Sequence, residues 1–111
     1  MSNHSFLEIV NSALEDKKGE DITNIDIRDI SIVTDYLVIA SGNNSNQVQA
    51  MADNVMEQME KNGYNKRGME GYDTANWVLI DFEDVIVHIF DKENRMFYDL
   101  ERLYADGRKL K

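Results

Sequence analysis

Apolar residues recur along this chain with two periods, and the changes of period mark its elements. Phe6, Ile9, Val10, Ala13 and Leu14 fall at helical spacing. Ser5 followed by Glu8 has the pattern of a capping box, Lys17 and Lys18 suit the negative end, and Gly19 supplies a stop. Ile22, Ile25, Ile27 and Ile30 then sit among Asp, Asn and Arg, which predicts a strand near 22–28 with one wet face and a turn around 29–31. The run DYLVIAS at 35–41 predicts a second, buried strand, broken by Gly42, Asn43, Asn44 and Ser45. Val48, Ala52, Val55 and Met59 lie on one stripe, widened by Met51 and Met56. They predict a long helix over 46–62 that Gly63 ends. Residues 64–75 are polar and glycine-punctuated, a loop with a short strand near 65–69.

The stretch NWVLIDF-ED-VIVHIF at 76–90 is the centre of the chain. Two β-rich runs parted by Glu83 and Asp84 predict a hairpin. A two-residue turn sets Phe82 opposite Val85, Ile80 opposite Val87 and Val78 opposite Ile89, a purely apolar core face. The other face carries Trp77, Leu79 and Asp81 against Phe90, His88 and Ile86, a partly wet face open to contact. Glu-Asp is a poor pair for left-handed turn positions, and an odd-numbered loop would shift the pairing by one.

After Phe90, residues 91–94 read as a charged connection. The segment 95–104 reads as a short strand or turn and then one helical piece with Leu100, Leu103 and Tyr104. Residues from about 105 to 111 read as a frayed basic tail. The order α-β-β-α-(β)-β-β-α predicts one α/β domain over 1–111, a mixed sheet flanked by helices.

Length and composition narrow the function. The 111 residues are enough for a core without disulfides or a structural metal. No cysteine is present, which excludes a thiol nucleophile or zinc-thiolate site and suits a reducing cytoplasm. No long apolar run or basic leader pattern occurs, so neither a membrane span nor export is expected. With 21 acidic against 12 basic residues the formal charge is −9, which argues against nucleic acid and for a basic protein partner.

Enzyme chemistry finds little support. The Gly42–Asn44 turn stands between a strand and a helix N-terminus, where backbone N–H groups can hold phosphate. It has neither GxGxxG nor lysine, and capping by Asn44 or Ser45 explains its polar residues equally well. A nucleotide-binding or nucleotidyl-transferring enzyme using Gly42 to Ser45 is therefore the alternative reading. His4 and His88 have no histidine at i+3 or i+4, so no metal and no cofactor is expected. His88 reads as a hydrogen-bonded sheet residue before a general base. Trp77, the one tryptophan, reads either as core or as an interface anchor.

The residues DYLVIASGNNS with Gln47, then Glu70-Gly71, Trp77 to Asp81, Asp84 to His88 and Arg95-Met-Phe-Tyr98-Asp-Leu100-Glu101, resemble the ribosomal silencing factor family, RsfS or Iojap-like. The resemblance covers nearly the whole chain, in order. It implies a fold similar to nucleotidyltransferases without their catalytic residues. It also implies a homodimer when free, and binding to ribosomal protein fourteen of the large subunit, which keeps the small subunit from joining and damps translation in starvation. Partner residues under this resemblance are Trp77, Leu79, Asp81, His88, Met96, Tyr98, Leu100 and Glu101, with Glu70. Trp77 and Tyr98 would be apolar anchors; Glu70, Asp81 and Glu101 would meet basic groups. The chain departs from the family where a turn glycine is Glu83, where a Trp is Tyr104, and where Asn43-Asn44 replace smaller residues.

Overall fold

Two adjacent strands with alternate side chains in opposite cores organise the molecule, a computed structural model that describes residues 5–105 and 107–110. They are β2 (Tyr36–Gly42) and β5 (Val85–Asp91), paired in parallel from Tyr36↔Val85 to Gly42↔Asp91. Every residue of β2 is buried, as its unbroken apolar run requires of a central strand. Around this pair lie β1 (Glu20–Asp26), β3 (Gly68–Glu70), β4 (Trp77–Asp81) and β6 (Arg108–Leu110). Among the described residues the sheet runs β3-β4-β5-β2-β1-β6, and the other neighbours are antiparallel.

One face carries Tyr36, Val38, Ala40, Val78, Ile80, Val87 and Ile89 beneath two helices, α1 (Ser5–Asp16) and α2 (Ser45–Lys61). Phe6, Val10, Ala13 and Leu14 of α1 and Val48, Ala52, Val55 and Met59 of α2 are the buried stripes that the 3.6 period placed there. The opposite face carries Ile25, Ile27, Leu37, Ile39 and Phe90. Two short helices lie on that side, α3 (Lys92–Tyr98) and α4 (Leu100–Leu103). Among the described residues no helix is long and apolar enough to cross a membrane.

The hairpin register is the one expected. Trp77 faces Phe90, Leu79 faces His88 and Asp81 faces Ile86. The two-residue turn closes through Phe82 N–H donating to Val85 O at 2.9 Å. Glu83 adopts φ 78°, the left-handed conformation its side chain disfavours. Asp81 Oδ1 holds it by accepting from Glu83 N–H at 2.8 Å.

Four local expectations change. Lys18 (φ 63°), not Gly19, takes the left-handed position after α1, its N–H bonding Glu15 O. The 91–94 stretch is not a separate connection, because Asp91 ends β5 and also caps α3, accepting from Asn94 N–H at 2.8 Å. Segment 95–104 holds no strand; it is helical on both sides of Asp99, which breaks it at φ 46°. The tail is not frayed throughout, since Arg108–Leu110 pairs antiparallel with 24–26 of β1. The capping box expected at Ser5 depends on a side chain outside the described residues.

Candidate functional site

The wet face of the hairpin becomes a plate of aromatic rings. Alternation along β4 and β5 brings Trp77, His88 and Phe90 to one side. Trp77 stacks on Phe90, centroids 5.1 Å apart at 27°. Tyr98, delivered by α3, closes on Trp77 at 4.5 Å. Phe97 meets Tyr98 edge-on at 5.1 Å and 89°. Such offset and edge-to-face contacts suit the quadrupoles of the rings.

Trp77 Nε1–H donates to His88 Nδ1 at 3.0 Å. The acceptor nitrogen has no proton, so the neutral ring carries its hydrogen on Nε2. His88 is buried, and burial lowers its pKa from 6.5 to about 4. At neutral pH it is a packed, uncharged acceptor rather than a base.

Around this buried centre the surface is apolar and open. Met96 is 82% exposed, Phe97 77%, Leu103 71% and Tyr98 45%. Helix α3 has no buried residue, so its apolar side chains are presented rather than packed away.

The expected site residues divide accordingly. Trp77 and Leu79 are half-buried on the plate side, and Met96 and Tyr98 are exposed. Glu70 is exposed on β3, opposite Leu79. His88 is buried beneath Trp77, and Leu100 is buried with Ile25, Ile39 and Phe90. Asp81 already accepts from Arg67 Nη2 at 3.0 Å as well as from Glu83 N–H. Glu101 accepts from Arg95 at 3.0 and 3.1 Å. Of the three carboxylates expected at a partner's basic groups, Asp81 and Glu101 are thus engaged internally.

The partner surface expected from the sequence leaves out Phe97, and Leu103 is placed on a helix without being assigned to that surface. The available signal was the density of large apolar residues in RMFYDLERLY: a short helix has too little inner face to bury them all. A smaller exposed group, Ile30, Ile32 and Val33, lies between β1 and β2.

The Gly42–Asn44 turn is filled by its own side chains. Asn44 Oδ1 accepts from Gln47 N–H at 2.9 Å, capping α2. Gln47 Oε1 takes Asn43 N–H at 2.6 Å, and Gln47 Nε2 donates to Lys17 O and Lys18 O at 3.0 Å. The Asn43 and Gln47 N–H groups are thus taken by side chains, and the Gln47 amide joins α2 to the end of α1.

The family model described as "Ribosomal silencing factor during starvation" matches residues 1–111. The chain belongs to the RsfS family. It is 45% identical over 107 residues to ribosomal silencing factor RsfS of Bacillus subtilis, covering 96% of this chain and 91% of that one. A crystal structure of a Chromobacterium violaceum protein superposes with TM-score 0.91 at 32% identity, over 95% of this chain and 88% of that one. A more distant relative is the mouse protein named mitochondrial assembly of ribosomal large subunit protein 1, 28% identical over 104 residues, 89% of this chain and 45% of that one. The RsfS family is named for silencing of the ribosome.

Proposed function

We propose that this chain docks on the large ribosomal subunit through ribosomal protein fourteen and blocks joining of the small subunit by occupying its place. Translation is thereby damped when nutrients are short. The observation that carries this reading is the open apolar surface of Met96, Phe97 and Tyr98 over a rigid Trp77–His88–Phe90 base. Rigid aromatic groups with an exposed edge are the usual anchors of protein interfaces. The charge of −9 favours a basic protein over ribosomal RNA, whose phosphates would repel the domain. Glu70, exposed at the sheet edge beside Leu79, supplies a free acidic group on the rim. The family's name supports a ribosomal partner, and the wording of the mouse relative's name supports the large subunit. In this reading the protein is cytoplasmic, a homodimer when free, and acts without catalysis or cofactor.

Sedimentation tests it. The protein should travel with large subunits, be sparse on joined ribosomes, and lower the yield of joined ribosomes when added to free subunits. Association should slow as salt rises, since steering is screened, while dissociation from the desolvated centre changes little. Recovery mainly on small subunits, or equal binding to naked ribosomal RNA, would refute it.

A further inference from the structure

Helix α3 presents the most exposed apolar side chains of the docking face, yet no residue of it is buried. A seven-residue helix has no stability of its own in water. Tyr98 against Trp77 and the Asp91 cap hold its two ends, and the polar tie from its middle to the sheet is made by Arg95. Its side chain is only 10% exposed. Nε and Nη2 donate to the two Glu101 oxygens at 3.1 and 3.0 Å, across the break at Asp99. Nη1 donates to Ser41 Oγ on β2 at 2.8 Å, and Nη2 to Thr23 Oγ1 on β1 at 3.2 Å. One planar fork thus ties both short helices to two strands of the sheet, a geometry a lysine ammonium cannot reproduce.

We infer that Arg95 is a positioning residue for docking: clamped to Glu101, Ser41 and Thr23, it fixes α3 so that Phe97 stands ready as a further partner anchor beside Tyr98. The inference rests on the docking reading above. Preorganisation matters because an anchor on a loose helix must be ordered at the moment of binding, which subtracts from affinity. Glu101 then serves the interface from behind, through Arg95, rather than by meeting a basic group of the partner.

Trp77, the one tryptophan, reports on α3 because Tyr98 lies against it. Arg95→Met should keep a cooperative melt, shift Trp77 emission, and weaken binding to purified large subunits about tenfold or more. Phe97→Ala should weaken binding by a similar factor and leave Trp77 emission and the melt as in the parent. The double variant should lose no more than the worse single one, since Arg95 acts through Phe97. Should Arg95→Met fail to fold, Arg95→Lys, which keeps the charge without the fork, carries the same comparison. Additive losses, unchanged emission in the Arg95 variant, or parent-like binding by Phe97→Ala would overturn the inference. If Trp77→Ala abolishes binding while Phe97→Ala does not, this inference alone fails. If the parent does not bind large subunits, the docking reading falls and this falls with it.

Discussion

Trp77 and His88 are joined across two antiparallel strands by one hydrogen bond, indole Nε1–H to imidazole Nδ1 at 3.0 Å. They are not directly opposite one another; His88 faces Leu79, and the indole reaches diagonally. The bond sets the imidazole tautomer and pins the indole flat against Phe90. Trp77 is consequently both structural and presented, a dual role with consequences for mutagenesis.

Trp77→Ala should cost about 3 kcal/mol of stability, because it removes a stacked ring and orphans the His88 acceptor. Trp77→Phe keeps much of the stacking and should cost about 1 kcal/mol. Urea titrations of the three proteins check this. A Trp77→Ala protein as stable as the parent would show that the plate contributes nothing to the fold.

His88 makes stability fall in mild acid. Its pKa is about 4 in the fold against 6.5 as the ordinary value, so between these pH values the unfolded chain holds more protons. The stabilisation is fully present above pH 6.5 and is lost as pH falls through 4. The loss amounts to roughly 3 kcal/mol. Midpoints of denaturation for parent and His88→Gln, measured between pH 7 and 4.5, isolate this histidine from the carboxylates. Parallel curves for the two proteins would contradict the assignment.

The hairpin turn holds a correctable strain. Glu83 sits at φ 78°, and its N–H is held by Asp81 rather than by its own side chain. Glu83→Gly keeps that hydrogen bond and relieves the backbone, so the melting temperature should rise, by about 1 kcal/mol of stability. A lower melting temperature would mean that the turn tolerates glutamate without cost.

Gly71 should resist substitution. It lies at φ 81° with the Trp77 carbonyl where a Cβ would go. Gly71→Ala combines an adverse conformation with a backbone clash and should cost about 2 kcal/mol or more. Because Trp77 must then shift, its emission should change as well, which backbone strain confined to residue 71 would not produce.

Asn44 should behave as a helix cap. Asn44→Ala removes the acceptor for Gln47 N–H and should cost about 1 kcal/mol. Nucleoside triphosphates with magnesium should leave the parent's melting temperature unchanged, since side chains already take the Asn43 and Gln47 N–H groups. A clear stabilisation by ATP would restore the nucleotide-binding reading of Gly42 to Ser45.

The sequence by itself determined whatever is decided within a few neighbouring residues. The stripe from Val48 to Met59, the buried run of β2 and the two-residue turn at Glu83-Asp84 are local patterns. Each repeats with the period of its own backbone, and that period assigns side chains to a face without reference to the rest of the chain. Face, however, is not burial. Trp77, Leu79, Asp81 and His88 were rightly put on one side of the hairpin, but what lies on that side comes from α3 and α4, and the apolar face it shares is continued by β1, more than fifty residues earlier. Only the tertiary structure could therefore decide that His88 and Leu100 are enclosed, that Asp81 and Glu101 are held by Arg67 and Arg95, and that Phe97 is left outside. It also decided the parallel pairing of β2 with β5 and the antiparallel pairing of the tail with β1, because a strand's pattern specifies which side is apolar but not which edge it will meet. Those partners are chosen by the closing of one shared core, a property of the whole chain at once.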